Sequence, residues 1–436
     1  MKHVLVIAYY FPPMGLSGIQ RTLKFVKYLG EFGWKPTVLT ITPHAYFAFD
    51  DSFLAELEER DVEIWRTPPG GIFSMVGPRR TISLRNERLR KFLNRVSQFF
   101  FIPDNKVGWR KRVRRFLEEK DLGMFDAVYS TAPPYTDHLV GLDIKHRTGL
   151  PLVIDFRDAW VEYPFHIYWT PWHRHRHEAL ERMVVREADA VITTNRFVRD
   201  LLLRRQANPS AAERMHVISQ GFDSADFQAP PSGRVPPMDP GCLNIVYTGI
   251  FYEDRDPLIL FKALVLLRDE RPEVYLRLRF YMVGYVQEEY REMGRAMGVG
   301  DRLVYCGYVE HNVSVEWVRN ADVLWFNIGA RRKGYETVSP GKAFEYLGSG
   351  KPIIAAIPRN EIGEMLASFD HTFLIDPEDH HAFASVLADL AERRERGEMP
   401  KGDREKIDRY DRRTLTGRLA AILDNVTATI KQHSAS

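Results

Sequence analysis

A short stretch late in the chain combines a helix start, a cation and a carboxylate. Ser339, Pro340 and Gly341 form a turn that predicts a helix, with Ser339 as the N-cap and Pro340 at the first helical position. The first backbone N–H groups of a helix have no partner within it, so such a turn can bind a phosphate. Lys342 adds a positive charge here, and Glu345, one turn further on, can accept hydrogen bonds from two adjacent hydroxyls, as on a ribose. The alternative interpretation is an ordinary loop and helix with a solvated glutamate.

The run over residues 336–356 resembles the nucleotide-sugar site of GT-B glycosyltransferases, in particular the large retaining family 4, whose pattern is P-x-K-x-x-E-Y-L-x-x-G-K-P. The resemblance implies that Glu345 holds the ribose of a donor nucleotide. In that family a second acidic residue usually stands eight positions earlier and contacts the donor sugar, but here that position is Thr337. Thr337, Val338 and Ser339 are assigned to donor binding, with Thr337 as a departure from the family pattern.

A second candidate pair follows an apolar run over residues 150–155 that is typical of a buried strand. Arg157 and Asp158 stand just beyond it, where open α/β sheets form their binding sites. The surrounding sequence resembles a D-F-R-D-P-W segment found in one branch of family 4. This resemblance implies that Asp158 reaches the acceptor hydroxyl near the anomeric carbon, and that Arg157 is its partner or contacts a phosphate. An ion pair between the two that only fixes the loop is the alternative. His138, earlier in the chain, is expected on a helix surface.

Glycines also follow the first predicted strand, which covers residues 4–10. Gly15 and Gly18 precede a predicted helix with Arg21 just inside it. The spacing is not G-x-G-x-x-G, and the second strand ends without an acidic residue for a ribose, so a dinucleotide-dependent dehydrogenase is not supported. The loop resembles the glycine loop of family 4 enzymes, which faces the cleft between their two domains. Arg21 is then a candidate partner of the donor phosphates, and a solvated arginine in the first helical turn is the alternative.

Strand ends in the second half of the chain supply further turns. Gly249, Gly284 and the Tyr308-Val309 pair each follow a predicted strand and are assigned to donor binding, although turns needed only for packing explain them nearly as well. The resemblance implies an arginine directly after Gly249 that holds the diphosphate, and Ile250 stands there instead. The cations that could replace it are Lys342, Arg331, Arg332, Arg255 and Arg21. Lys342 is the preferred replacement because it lies at the helix start that is predicted to bind a phosphate.

Strands alternate with helices in both halves of the chain, which predicts an α/β fold with two doubly wound domains. The resemblance implies the GT-B architecture, in which two Rossmann-like domains face a central cleft. We predict an N-terminal acceptor-binding domain over residues 1–225 and a Pro-, Gly- and Ser-rich linker over 226–242. A nucleotide-sugar-binding domain is predicted over 243–402, followed by C-terminal helices over 403–436 that return to the first domain.

Composition describes a globular protein without a dominant charge. The chain has 436 residues, more than one hydrophobic core usually supports, and its formal net charge is +3. A basic nucleic-acid-binding protein would carry a larger excess. Cys242 and Cys306 are the two cysteines and stand in no metal spacing, which fits a reducing cytoplasm. His173 and His177 have the i, i+4 spacing of metal ligands but no clear third ligand, so no metal site is predicted.

Residues 79–115 mix arginines with phenylalanines and leucines at helical spacing. Such a segment can lie on an anionic bilayer, so peripheral contact with the inner face of a membrane is one interpretation. An amphipathic helix that packs on its own domain is the other. The sequence contains no apolar run of the roughly 18 residues that a transmembrane helix needs.

The resemblance to family 4 implies a glycosyltransferase, and we expect it to act in polysaccharide biosynthesis. The resemblance implies a cytoplasmic, metal-independent enzyme without a cofactor. It would move a hexose-type sugar from a nucleotide diphosphate sugar to a glycan, lipid-linked or small-molecule acceptor, with retention of configuration. Two alternatives stay open: a degenerate, non-catalytic nucleotide-binding protein of the same fold, favoured by Thr337 and Ile250, and a sugar-nucleotide epimerase, which needs no acceptor. No nucleic acid partner is expected.

Overall fold

The computed structural model describes residues 1–15, 17–44, 46, 49–58, 60, 62–70, 95–163, 166–251, 256–329 and 337–435. The chain divides into two compact units. The first combines Met1–Gln220 with Thr337–Ser339 and Arg412–Ser436, and the second combines Gly221–Glu336 with Pro340–Asp411. The N-terminal segment of the first unit therefore ends at Gln220, whereas the sequence predicts the domain boundary at residue 225.

The first unit is built on a sheet of parallel strands in the order β3-β2-β1-β4-β5-β6-β7. The strands are β1 (Lys2–Ile7), β2 (Trp34–Ile41), β3 (Glu63–Thr67), β4 (Ala127–Ala132), β5 (Leu152–Phe156), β6 (Ala190–Thr193) and β7 (Met215–Val217). The order reverses between β1 and β4, and in doubly wound sheets a ligand crevice forms beyond the strand ends at such a reversal.

The central strand β1 shows why this sheet needs a layer on each face. Leu5 and Ile7 point into one cluster of buried side chains, while Val4 and Val6 point into another. Successive side chains of a strand face opposite sides of the sheet, so a run that is apolar at every position is buried on both. Helices supply both layers: α1 (Gln20–Leu29), α2 (Ser52–Glu58), α3 (residues 95–100), α4 (Trp109–Leu117), α5 (Thr136–Thr148), α6 (Pro171–Glu187) and α7 (Arg196–Arg204).

The second unit repeats this architecture with parallel strands in the order β10-β9-β8-β11-β12-β13. The strands are β8 (Leu243–Thr248), β9 (Leu278–Val283), β10 (Leu303–Gly307), β11 (Val323–Asn327), β12 (Ile353–Ala356) and β13 (Thr372–Ile375). Its helices are α8 (Ser224–Gln228), α9 (Leu258–Glu270), α10 (Pro272–Tyr275), α11 (Glu288–Ala296), α12 (His311–Asn320), α13 (Gly341–Ser349), α14 (Glu361–Ala367), α15 (His380–Arg396) and α16 (Arg404–Ile407). The predicted linker over 226–242 therefore begins inside α8.

The last helix, α17 (Arg412–Ala435), belongs to the first unit and packs against α1. Leu415, Leu419 and Leu423 lie on its buried face, inside the core that β1 and α1 share. Asp424 accepts hydrogen bonds from Lys2 Nζ (2.7 Å) and Trp34 Nε1 (3.1 Å), which join the helix to β1 and β2. The predicted return of the C-terminal helices to the first domain is confirmed for α17, whereas α16 belongs to the second unit.

The α/β class with two doubly wound, Rossmann-like units is confirmed as well. Among the helices of the described residues, every one is too short or too polar to cross a bilayer.

Candidate functional site

Helix α13 begins one residue later than the sequence predicts, at Gly341. Pro340, with φ −72° and ψ 129°, takes the N-cap position that was predicted for Ser339. The proline ring fixes φ near this value, so the two possible positions of Pro340 differ in ψ and not in φ. Ala343, Phe344, Tyr346 and Leu347 form the buried face of the helix. Lys342 and Glu345 consequently lie on its half-buried side.

Lys342 lies at the carboxyl end of β8. Its Nζ donates hydrogen bonds to Thr248 O (2.8 Å) and Tyr247 Oη (3.2 Å), and it lies 4.4 Å from the centre of the Tyr247 ring. A Cβ atom added to Gly249 would come within 2.5 Å of Nζ, so the missing side chain makes room for the ammonium group. The structure thus brings together two residues that were predicted separately, Lys342 and Gly249.

A second contact fixes α13 to the same strand. Tyr346 is completely buried, and its hydroxyl accepts a hydrogen bond from Thr248 N at 2.7 Å. Burial raises the pKa of Tyr346, so this hydroxyl stays protonated. Lys342 and Tyr346 therefore hold the first turn of α13 beside the end of β8.

Glycines end three adjacent strands of the second unit. Gly249, Gly284 and Gly307 have φ values of 127°, 133° and 73°, which favour glycine. Gly249 N donates to Val283 O, and Gly284 N donates to Gly307 O, both at 2.7 Å. A Cβ on Gly284 would lie 2.0 Å from Gly249 O. The turns at Gly249 and Gly284 therefore need glycine for both space and φ, whereas Gly307 is favoured by its φ alone.

Tyr308 and Val309 directly follow the last of these glycines, Gly307. The Tyr308 side chain is 53% exposed and Val309 is half-buried. An exposed ring beside bare backbone is a surface on which a planar base can stack.

Glu345 is accompanied by a histidine that sequence reasoning missed. His311, the first residue of α12, has Nδ1 3.6 Å from Glu345 Oε1 and Nε2 3.2 Å from Asp226 Oδ2. All three side chains are largely buried, with 12% of His311 and 17% of each carboxylate exposed. The imidazole thus lies between two carboxylates and restricts the orientation of Glu345. Its position just after the Tyr308-Val309 turn was the available sequence signal.

Thr337, Val338 and Ser339 belong to the first unit. Asn195, the N-cap of α7, donates from Nδ2 to Thr337 O at 3.2 Å. Thr337 and Ser339 are buried, and Val338 is half-buried. None of these three side chains supplies the carboxylate that the family pattern has at the position of Thr337.

Arg21 lies in the interior of the first unit, with 1% of its surface exposed. Its guanidinium group donates to Asp155 from Nε (2.7 Å) and Nη2 (3.1 Å) and to the carbonyl oxygens of Ser219 (2.7 Å) and Ile218 (2.9 Å). The Tyr129 hydroxyl also donates to Asp155, at 2.5 Å. Arg21 is therefore held as a buried ion pair, and this structural role leaves it out of the donor site that we propose.

Asp158 and Arg157 lie just beyond β5. Arg157 is 8% exposed and donates from its guanidinium group to the carbonyl oxygens of Ala132 and Pro133, at the end of β4. Asp158 is half-buried close to Tyr135, where burial and then this carboxylate raise the pKa of the tyrosine. Arg157 thus braces the turn between β4 and α5.

The two glycines of the first loop differ in exposure. Gly15 is buried, whereas Gly18 is exposed, and a Cβ added to Gly18 would lie 3.9 Å from Nη1 of Arg157. The structure therefore places Gly18 beside the Arg157 turn.

The expectation that His138 lies on a helix surface is wrong. This residue, in the first turn of α5, is completely buried, and its Nδ1 is 2.8 Å from Ser130 Oγ. Burial lowers the pKa of His138 to about 3, so the imidazole is neutral at physiological pH. Its Nε2 has no hydrogen-bond partner within the described chain. The sequence did not predict this buried, neutral imidazole with one unused nitrogen.

The histidines with metal-ligand spacing have protein partners. His173 Nε2 lies 3.1 Å from Phe99 O, and His177 Nδ1 accepts from Trp160 Nε1 at 3.0 Å. Arg331, Arg332 and Arg255 lie outside the described residues, as do residues 79–94 of the predicted membrane segment.

A doubly wound unit whose strand ends carry glycine turns beside a lysine and a glutamate of α13, together with a second doubly wound unit, is typical of the GT-B class. Comparison with known families agrees. Residues 18–221 match the glycosyl transferase 4-like domain, and residues 243–393 match the glycosyl transferases group 1. The chain belongs to the glycosyltransferases that join these two domains.

Similar proteins support the same assignment. Two D-inositol 3-phosphate glycosyltransferases match: that of Streptomyces scabiei (strain 87.22) is 27% identical over 226 residues, and that of Streptomyces coelicolor is 26% identical over 239 residues. These matches cover 49% of this chain and span only about half the length of each relative, 48% and 50%.

Solved structures show the same fold. Sucrose-phosphate synthase from Thermosynechococcus elongatus matches with a TM-score of 0.64 at 15% identity, covering 98% of this chain and all of its own. A glycosyltransferase from Rickettsia africae ESF-5 matches with a TM-score of 0.59 at 13% identity, covering 98% of both chains.

Proposed function

We propose that the protein transfers a hexose-type sugar from a nucleoside diphosphate sugar to an acceptor hydroxyl, with retention of anomeric configuration. No divalent metal or other cofactor takes part in this proposal. The observation that carries it is the Lys342 ammonium group, which lies 2.8 Å from Thr248 O at the end of β8, beside Gly249.

The proposed role of Lys342 is to stabilise the departing diphosphate. Negative charge develops on this leaving group as the glycosidic bond breaks, and a preorganised cation stabilises it most when water is excluded. The first-turn N–H groups of α13 add the positive end of a helix dipole. Lys342 thus compensates for Ile250, which stands where the family carries an arginine.

Glu345 is proposed to hold the ribose, with His311 fixing its carboxylate. A carboxylate can accept hydrogen bonds from both ribose hydroxyls. Its contribution to donor binding is largest when it is already held in the productive orientation. The glycine turns at 249 and 284 allow the backbone to approach the nucleotide, and the exposed Tyr308 ring is proposed to stack on its base. Asp158 in the first unit is proposed to contact the acceptor hydroxyl.

A donor screen followed by product analysis tests this proposal. The protein is first screened by thermal shift against UDP-, GDP-, ADP- and dTDP-sugars, because a ligand that binds the folded state raises the unfolding temperature. The stabilising donor is then incubated with acceptors, and the anomeric configuration of the product is read by NMR. An inverted product overturns retention, and activity abolished by EDTA and restored by Mg²⁺ overturns metal independence.

Incubation of the donor without an acceptor separates the remaining alternatives. Slow release of the nucleoside diphosphate supports a transferase. Conversion of the donor into its epimer without release supports the epimerase, whereas tight nucleotide binding with neither reaction supports the non-catalytic protein. Thr337 and Ile250, which replace two charged residues of the family pattern, are the observations that favour the last alternative.

The acceptor screen starts from a phosphorylated polyol, because the matching Streptomyces proteins are named D-inositol 3-phosphate glycosyltransferases. Glycan and lipid-linked acceptors follow. A lipid-linked acceptor would be presented at a membrane, and peripheral contact of residues 79–115 with anionic lipid is part of the same proposal.

A further inference from the structure

Five large apolar side chains of the first unit form an exposed surface, which we call the aromatic platform. Its members and their exposed fractions are Phe99 (42%), Phe100 (70%), Ile167 (39%), Trp169 (48%) and Trp172 (59%). Phe99 lies 5.1 Å from Phe100 and 5.8 Å from Trp169, measured between ring centres. The members come from two segments almost 70 residues apart in the chain. Contiguous exposed apolar surface of this kind usually marks an interaction site.

Polar contacts join the two segments of the platform and hold them together. Ile167 N donates to Gln98 Oε1 at 2.9 Å, and Trp169 Nε1 donates to Arg95 O at 2.9 Å. The imidazole of His173 lies against Phe99 and Trp172, with ring centres 5.0 and 5.1 Å away. The exposed rings therefore have a buried, hydrogen-bonded support.

Cations border the platform. Arg95, Arg174 and Arg176 are exposed on the same two segments. Arg174 pairs with Glu178 (2.9 Å) and Glu162 (3.5 Å). Within the described chain, Arg95 and Arg176 take part in no ion pair, so this border carries an excess of positive charge.

We propose that the aromatic platform docks the protein on an anionic lipid surface. Trp and Phe side chains enter the boundary between headgroups and acyl chains, while neighbouring arginines contact lipid phosphates. The surface is small for a stable contact with a second copy: five half-exposed side chains offer about 500 Å², against roughly 800 Å² per partner in a typical protein interface.

This inference deepens the membrane contact of the proposed function and rests on it only for the source of the acceptor. It also extends that contact beyond the predicted segment, which already contains Phe99 and Phe100. The segment predicted from the sequence ends at residue 115, whereas three platform residues lie at 167–172.

Vesicle co-sedimentation of the full chain tests the platform. Vesicles of phosphatidylcholine are compared with vesicles that also contain phosphatidylglycerol. We expect the protein to sediment with the anionic vesicles, and the Phe100→Ser/Trp172→Ser variant to lose at least tenfold in partitioning. The Leu276→Ser/Leu374→Ser variant is the matched control, because these leucines are 60% and 43% exposed in the second unit, and it should partition as the wild type does. The Arg95→Gln/Arg176→Gln variant should retain binding that depends less on salt.

Quenching by brominated lipids gives a second readout. Tryptophan fluorescence of the wild type should be quenched, and the Trp169→Phe/Trp172→Phe variant should lose most of that quenching. Binding that is indifferent to lipid charge, or a Phe100→Ser/Trp172→Ser variant that binds as the wild type does, overturns the proposal. Self-association that this variant abolishes, without vesicle binding, identifies a second copy as the occupant instead. Donor hydrolysis measured without lipid should be the same in the platform variants and the wild type. If the wild type does not hydrolyse any donor, that result contradicts the proposed function and leaves the platform proposal unaffected.

Discussion

In the first unit, buried ionisable side chains hold the region beyond the strand ends. Arg21 and Asp155 pair inside the core, and Asp137 accepts a hydrogen bond from Tyr9 N at 2.8 Å. In the second unit the corresponding region consists of glycine turns, with Lys342 beside them. Two sheets with the same order of central strands thus differ at their strand ends: buried, hydrogen-bonded side chains occupy this region in the first unit, and glycine turns beside a lysine occupy it in the second.

Replacing Arg21 with Ala should have the largest effect. Removing one partner of a buried ion pair leaves an uncompensated charge, and we expect the free energy of unfolding of the first unit to fall by about 3–5 kcal/mol. Denaturant titration measures the loss. Arg413→Ala is the control, because its pair with Glu31 is on the surface and should be worth less than about 1 kcal/mol. If stability is unchanged and donor binding is weaker, Arg21 belongs to the donor site, and the strand ends of the two units do not differ as described above.

Gly284→Ala should be the most damaging of the glycine substitutions in the second unit. The new Cβ would lie 2.0 Å from Gly249 O at a φ of 133°, so the turn must move. We expect a loss of about 2–3 kcal/mol in stability together with weaker donor binding. Gly307→Ala is the matched control: its φ is 73°, but nothing lies within 4 Å of the new atom, so only about 1 kcal/mol of strain is expected. Equal effects of the two variants would refute a close approach at Gly284.

Lys342→Met should separate binding from stability. The substitution keeps the apolar length of the side chain and removes a charged group whose hydrogen bonds are worth about 1.5–3 kcal/mol to a ligand. Donor affinity should fall about 10- to 100-fold, as measured by calorimetry, with a small change in the unfolding temperature. Affinity for the free nucleoside should change little, because that ligand lacks the diphosphate. A uniform loss for both ligands would contradict a phosphate contact.

His311→Gln should produce the smallest effect. Gln keeps a hydrogen-bonding side chain but cannot contact Glu345 and Asp226 in the same way. We expect donor affinity to fall by a factor of a few, about 1 kcal/mol. The comparison ligand is the 2′-deoxy form of the nucleotide: if His311 acts through Glu345, the variant should lose less affinity for it. An equal loss for both ligands would remove the positioning role.

The parts of the molecule that could be predicted are those specified locally. The P-x-K-x-x-E pattern lies within one turn and one helix, so α13, Lys342 and Glu345 follow from neighbouring residues. The helix begins one residue later than predicted because the proline ring fixes φ but leaves ψ open, and Pro340 adopts the extended ψ of an N-cap.

The missed features depend on contacts between distant parts of the chain. Arg21 and Asp155 are 134 positions apart, and no local pattern signals their pairing. His138 was misplaced because the first turns of α5, from Thr136 to Leu142, are buried on all sides. A helix without an exposed face shows no apolar periodicity from which burial could be read.

The position of α17 has a consequence for biosynthesis. During translation, all of the second unit must be synthesised before the helix that covers α1. Until then Leu23 and Val26 of α1 lack the side chains of Leu415 and Leu419 that share their cluster. The first half of the chain would therefore reach its final packing only after the second half has been synthesised, although N-terminal domains usually fold first.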